Sequence, residues 1–185
     1  ITHLHADLVA RMNAANRLAP PALLCDSLYD SLIAQMEHVS SRMAVETPSL
    51  RLSHAQLFAH ARGIASLLQR TTPSAPNDCI GIMLHKSAWM SITVHAIHFA
   101  SAAYVPVDAT LPTDRVKSIC VDALIRVVCT RVSSREQCPE EVASLAVDSI
   151  PLQAATTAAL RQAPTDRGYV IFTSGSTGRP KGVVL

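Results

Sequence analysis

Tyr169-Val-Ile-Phe-Thr-Ser-Gly-Ser-Thr-Gly-Arg-Pro-Lys-Gly-Val183 is the stretch on which the reading of this chain turns. It opens as a run of β-formers, Tyr169 to Phe172, and breaks into Thr173-Ser174-Gly175-Ser176-Thr177-Gly178. It then presents Lys181 and returns to a β-like run at Val183-Val184-Leu185. Of six glycines in 185 residues, Gly175, Gly178 and Gly182 fall here, together with Lys181, one of three lysines. Glycine lets the backbone turn left-handed and lets a ligand approach the main-chain N–H groups. Successive N–H groups in such a bend form a concave anion site. The hydroxyls of Thr173, Ser174, Ser176 and Thr177 add donors, and Lys181 adds a full positive charge. Hydrogen bonds to a charged partner are worth about 1.5–3 kcal/mol each, so four or five of them hold a triphosphate. The spacing is not the Walker one, because Arg179-Pro180 separates Gly178 from Lys181.

The run from Thr173 to Gly182 resembles the phosphate-binding signature of adenylate-forming enzymes: acyl-CoA synthetases, luciferases and the adenylation domains of nonribosomal peptide synthetases. The resemblance implies that Thr173, Ser174, Gly175, Ser176, Thr177, Gly178 and Lys181 grip the phosphates of ATP, which binds with Mg2+ in the complete domain. A carboxylate then attacks the α-phosphate and pyrophosphate leaves. The β-runs on both sides of the bend are unlike a flexible Gly/Ser linker.

Composition excludes several other classes. Apolar residues make up 49% and charged residues 16%, so a packed core is expected of one domain. A net charge of +2 gives no sign of a nucleic-acid or membrane surface as partner. The most apolar region, Ala88 to Val107, is broken by Ser91, Thr93, His95, His98 and Ser101, so no spanning helix is expected. The first residues lack the basic-then-apolar pattern of a signal peptide. Cys25, Cys79, Cys120, Cys129 and Cys138 are odd in number and never form Cys-x-x-Cys, which reads as idle thiols in a reducing cytoplasm.

Along the chain, Leu28, Leu32, Met36 and Val39 predict a helix over 28–43. Ser53-His-Ala-Gln56 is a capping box, with Leu57, Ala61, Ile64 and Leu68 as one stripe to about Arg70. A strand at 79–84 follows a Pro-rich turn, then a helix over 87–99 with Ser87 as cap. Strands are expected at 104–107, 125–130, 145–147 and 169–172, and helices at 112–121 and 139–143. This alternation predicts an α/β fold with a mostly parallel sheet and flanking helices. His95 and His98 share one helical face without a third ligand. Trp89 reads as a core or interface anchor, and Arg131 and Arg135 as surface partners of Glu136, Glu140 and Glu141.

Two further stretches narrow the resemblance to peptide-synthetase adenylation domains. Leu52-Ser-His-Ala-Gln-Leu57 is similar to their first core motif, with His54 where Tyr is usual. Phe99-Ala-Ser-Ala-Ala-Tyr-Val-Pro-Val-Asp108 is similar to their Ala-Tyr-Val-Pro-Ile/Leu-Asp motif, with Ala100-Ser101-Ala102 where a glycine is usual. Residues 1–26 resemble the connector that follows a condensation domain, and 27–185 the first part of an adenylation domain. The resemblance implies condensation and carrier-protein domains as neighbours and an amino acid as substrate. Nothing here resembles the family's substrate pocket, ribose-binding aspartate or catalytic lysine, so no catalytic residue is assigned and the chain alone is expected to be inactive. A non-catalytic scaffold within a synthetase and part of a coenzyme A ligase are the alternatives. Leu185 falls inside a strand-like run, so an open sheet edge, self-association and only weak nucleotide binding by the isolated chain are expected.

Overall fold

A computed structural model describes residues 39–71, 78–151, 167–173 and 181–185. Its centre is a four-stranded parallel sheet. Strands β1 (Met43–Thr47) and β2 (Leu50–Ser53) first form an antiparallel hairpin, and helix α1 (His54–Thr71) follows directly. Ser53 begins α1 as the capping box requires: Gln56 N–H donates to Ser53 Oγ at 3.3 Å, and Ser53 N–H donates to Gln56 Oε1 at 2.9 Å. Next come β3 (Cys79–Ile82), α2 (Ala88–Phe99), β4 (Ala103–Pro106), α3 (Thr113–Asp122) and β5 (Val127–Thr130). A 3-10 turn over Val132–Gln137 leads to β6 (Ala143–Ala146), and β7 (Val170–Thr173) pairs antiparallel with β8 (Lys181–Val184).

The sheet order is β4-β3-β5-β6, every pair parallel. From β3 the chain steps outward to β4, then crosses back over β3 to reach β5 and continues to β6 on the far side. Crossovers between parallel strands are right-handed, so reversing the direction of travel sends the next helix to the opposite face. The packing shows this. Leu57, Ile64 and Leu68 of α1 join Ile92, Ile97 and Phe99 of α2 against Ile80, Ile82, Val127 and Cys129. On the other face Val116, Ile119 and Cys120 of α3 meet Val105, Val107 and Val128.

Several expectations are corrected in detail. The helix expected to reach Met43 has given way by Ser40 to a turn, because Met43–Thr47 pairs with Leu50–Ser53; of that helix only its end lies among the described residues. Ser87 precedes α2 but makes no side-chain cap, its hydroxyl donating instead to the His85 carbonyl at 3.0 Å. No helix covers 139–143: Pro139 and Val142 make one turn, and Ala143 enters the ladder opposite Val127. The strand expected at 145–147 accordingly lies at Ala143–Ala146. Arg131 pairs with Asp148 at 3.2 Å and Arg135 bonds Ser144 at 3.0 Å, while Glu141 pairs with Lys117, so the expected partners are exchanged. The Pro-rich turn before β3 falls largely outside the described residues.

Where the family motif carries glycine, Ser101 takes the left-handed conformation itself, at φ 59°. Ser101 N–H bonds to His98 O and Ala102 N–H to Ile97 O, at 3.0 and 3.1 Å, which is a Schellman closure of α2. Gly81 serves packing rather than a turn. A Cβ there would lie 2.9 Å from Cγ2 of Val128, its partner in the ladder and fully buried. Gly81→Ala should therefore destabilise the chain by about 1–3 kcal/mol in urea unfolding. Adding Val128→Ala should recover part of that loss in a double-mutant cycle.

Candidate active site

The β7–β8 hairpin carries the described members of the glycine-rich motif, Thr173, Lys181 and Gly182. Tyr169 makes a parallel bridge to Tyr104, and Tyr104 N–H donates to Gly168 O at 3.3 Å. The two tyrosine rings stack with centroids 5.4 Å apart, and His98 of α2 meets Tyr104 edge-on at 5.6 Å. Val170 is buried in the cluster that holds Val105 and Val107, with Phe172 packed against it. The start of β7 is thereby set against β4 and runs in the same direction. The strand therefore carries the chain toward the carboxyl edge of the sheet, where ligands of open α/β sheets sit.

On its other side β7 pairs with β8, from Val170 opposite Val184 to Thr173 opposite Lys181. Gly182 faces Phe172, and a Cβ there would come within 3.1 Å of Phe172 Cζ and 3.3 Å of Val170 Cγ1. This glycine thus makes room for an aromatic ring across the hairpin. Thr173 and Lys181, both exposed, form the last rung, with Thr173 Oγ1 3.5 Å from the Lys181 carbonyl. Ser174, Gly175, Ser176, Thr177 and Gly178 lie outside the described residues. The structure brings the backbones of Thr173 and Lys181 together as ladder partners at the tips of paired strands.

Near the same edge Asp108 follows β4. Its Oδ1 accepts from Thr110 N–H and Thr110 Oγ1, both at 2.8 Å, and these bonds, with His85 nearby, hold its carboxyl below the usual range. The Tyr104–Asp108 stretch is thus a strand ending in a turn. Lys86 and Arg131 follow β3 and β5 on this edge; sequence reasoning did not single out Lys86 and read Arg131 only as a surface ion-pair former. A signal was present for the first, since lysine is so scarce in the chain and Lys86 lies just past the apolar strand run, after His85.

Residues 33–185 match the AMP-binding enzyme family. The chain belongs to that family. Tyrocidine synthase 1 of Brevibacillus parabrevis is 34% identical over 165 residues, covering 86% of this chain and 15% of the synthase. Nonribosomal peptide synthetase 5 of Gibberella zeae is 32% identical over 189 residues, covering 96% of this chain and 2% of that protein. Among solved structures, the AMPPNP-bound form of the nonribosomal peptide synthetase FmoA3 superposes with a TM-score of 0.77 at 31% identity, covering 94% of this chain and 18% of that one. This chain therefore spans a small part of each of these relatives. Its α/β core is that of an AMP-binding enzyme.

His98 makes the β7 anchor sensitive to acid. Burial, and then the neighbouring His95, pushes the His98 imidazole down to about 4. The unfolded chain takes up that proton near pH 6.5 while the folded chain resists it. Stability from this group is therefore complete above pH 6.5 and is lost as the pH falls toward 4. Thermal or urea unfolding should show a loss of about 1–2 kcal/mol between pH 7 and pH 5. His98→Phe should flatten that dependence.

Proposed function

We propose that this chain forms the phosphate-gripping part of an ATP-dependent, amino-acid-activating adenylation domain of a nonribosomal peptide synthetase. One observation carries the reading: Thr173 and Lys181 face each other on the last rung of the β7–β8 hairpin. Thr173, Ser174, Gly175, Ser176, Thr177, Gly178 and Lys181 are assigned to the β- and γ-phosphates of ATP. Mg2+ arrives with the nucleotide, whose phosphate oxygens supply much of its coordination. In the reaction an amino-acid carboxylate oxygen bonds to the α-phosphorus, the bond to the bridging oxygen breaks, and pyrophosphate departs with that electron pair. The role of Lys181 is electrostatic, balancing charge on the phosphates while the bond is exchanged.

The chain spans 15% of tyrocidine synthase 1, so activation of a particular amino acid is assigned to the longer protein and not to these 185 residues. In that protein, residues 1–26 connect to a condensation domain, 27–185 open the adenylation domain, and a carrier protein receives the product. Among the described residues no helix is long and apolar enough to cross a membrane. A cytoplasmic synthetase is the setting we assign.

Lys181→Ala in the full-length protein should weaken ATP binding about tenfold or more, as expected for losing a charge-assisted contact, and depress amino-acid-dependent ATP–pyrophosphate exchange. Unchanged peptide output would instead identify a non-catalytic scaffold, and thioester formation with free coenzyme A a coenzyme A ligase. We also assign self-association to the hairpin, whose Ile171, Val183, Val184 and Leu185 are exposed beside a β8 edge that is unpaired among the described residues. Analytical ultracentrifugation of the isolated chain should show concentration-dependent dimers, and Val183→Lys should return it to monomer.

A further inference from the structure

We propose that the crevice between the carboxyl ends of β3 and β5 is a second anion site, separate from the glycine-rich motif, that takes a phosphate-bearing small molecule. The topology selects the place. From β3 the chain turns toward β4, whereas from the adjacent β5 it turns the other way toward β6. The loops at these two strand ends diverge and open a crevice, the switch point where ligands of doubly wound sheets bind. The β7–β8 hairpin stands elsewhere, at the outer side of β4.

A groove of about 480 Å³ occupies that position, within the range of small-molecule sites. Three segments line it: the β1–β2 turn with Ser49, the β3–α2 connection and first turn of α2 with Lys86, Ser87 and Trp89, and Arg131 at the end of β5. None of its described lining residues is acidic. Lys86 is exposed and makes no ion pair or hydrogen bond among the described residues. Arg131 is held from behind. Asp148 accepts its Nε–H at 3.2 Å and the Val132 N–H at 2.9 Å, which fixes the guanidinium through one nitrogen and, among the described residues, leaves the terminal pair for an anion.

A fixed guanidinium matches the planar, two-point geometry of a phosphate oxygen pair, and a lysine adds a mobile point charge beside it. The first turn of α2, which contributes to the lining, has no side-chain cap, so its N–H groups add positive potential to the groove. The Trp89 ring supplies an apolar wall. Two cations in a crevice bounded by three segments suit a compact phosphate better than an extended acidic peptide.

Trp89 is the chain's one tryptophan, so intrinsic fluorescence reads this groove directly. The experiment titrates the 185-residue chain with inorganic phosphate, pyrophosphate and AMP while Trp89 emission is followed. A saturable change with at least one of them is expected, and which one responds separates a free oxyanion from a phosphate ester. Lys86→Ala should weaken that binding about tenfold, the loss of one charge-assisted contact, and Lys86→Arg should keep it. Lys181→Ala should leave it unchanged, so failure here and failure of the nucleotide reading are told apart. Circular dichroism confirms that each variant is folded. The proposal is overturned by no saturable response, by a response that Lys181→Ala removes and Lys86→Ala spares, or by a response to hexaglutamate alone.

Discussion

The alignment of β7 against β4 is the constraint on which the functional geometry rests. It is made by one parallel bridge, one stacked tyrosine pair and the burial of Val170. Strand direction does the rest. Because Tyr169 enters beside Tyr104 and runs with it, Thr173 emerges where the parallel strands end rather than where they begin. Were β7 antiparallel to β4, the same glycines and hydroxyls would open at the opposite edge. The His98 edge contact ties this anchor to α2, so one aromatic cluster joins a helix, the sheet and the hairpin.

The two faces of the sheet divide the work of stability. Helices α1 and α2 pack together over β3 and β5 around Phe58, Phe99 and Ile64, and α3 packs on the reverse face with Val170 and Phe172 of β7. Burying the sheet on both sides suits parallel strands, whose side chains are then apolar on both faces. All four residues of Val127–Thr130 are buried. The crossover that puts α3 on its own face also makes β3 and β5 diverge at their carboxyl ends. A packing requirement and a binding crevice thus share one topological cause.

Much of this was legible before any coordinates. The capping box at Ser53 and Gln56, the stripe of α1 and the strand-helix alternation from Cys79 to Thr130 all appear, within two residues of their expected bounds or adjusted by the ladder. These are local signals, set by side-chain period and hydrogen-bond chemistry. The misses have a common physical origin. Residues 139–143 look helical in isolation, yet Ala143 has a ladder partner in Val127 that only the assembled sheet supplies. Met43 likewise belongs to a hairpin whose pairing is stronger than a helical stripe. Ser87 has the chemistry of a cap, but its hydroxyl is taken by the nearby His85 carbonyl.

Residue type and order by themselves determined the fold class, the family motif and the chemistry that motif offers, since glycines, hydroxyls and a lysine at those spacings constrain the backbone wherever they are placed. What the sequence could not decide was position. Which strand β7 would lie beside, that Gly182 would make room for Phe172, and that Lys86 and Arg131 would meet across a crevice all depend on contacts between residues far apart in the chain. Such contacts are chosen by the packing of the whole sheet, and no local pattern encodes them.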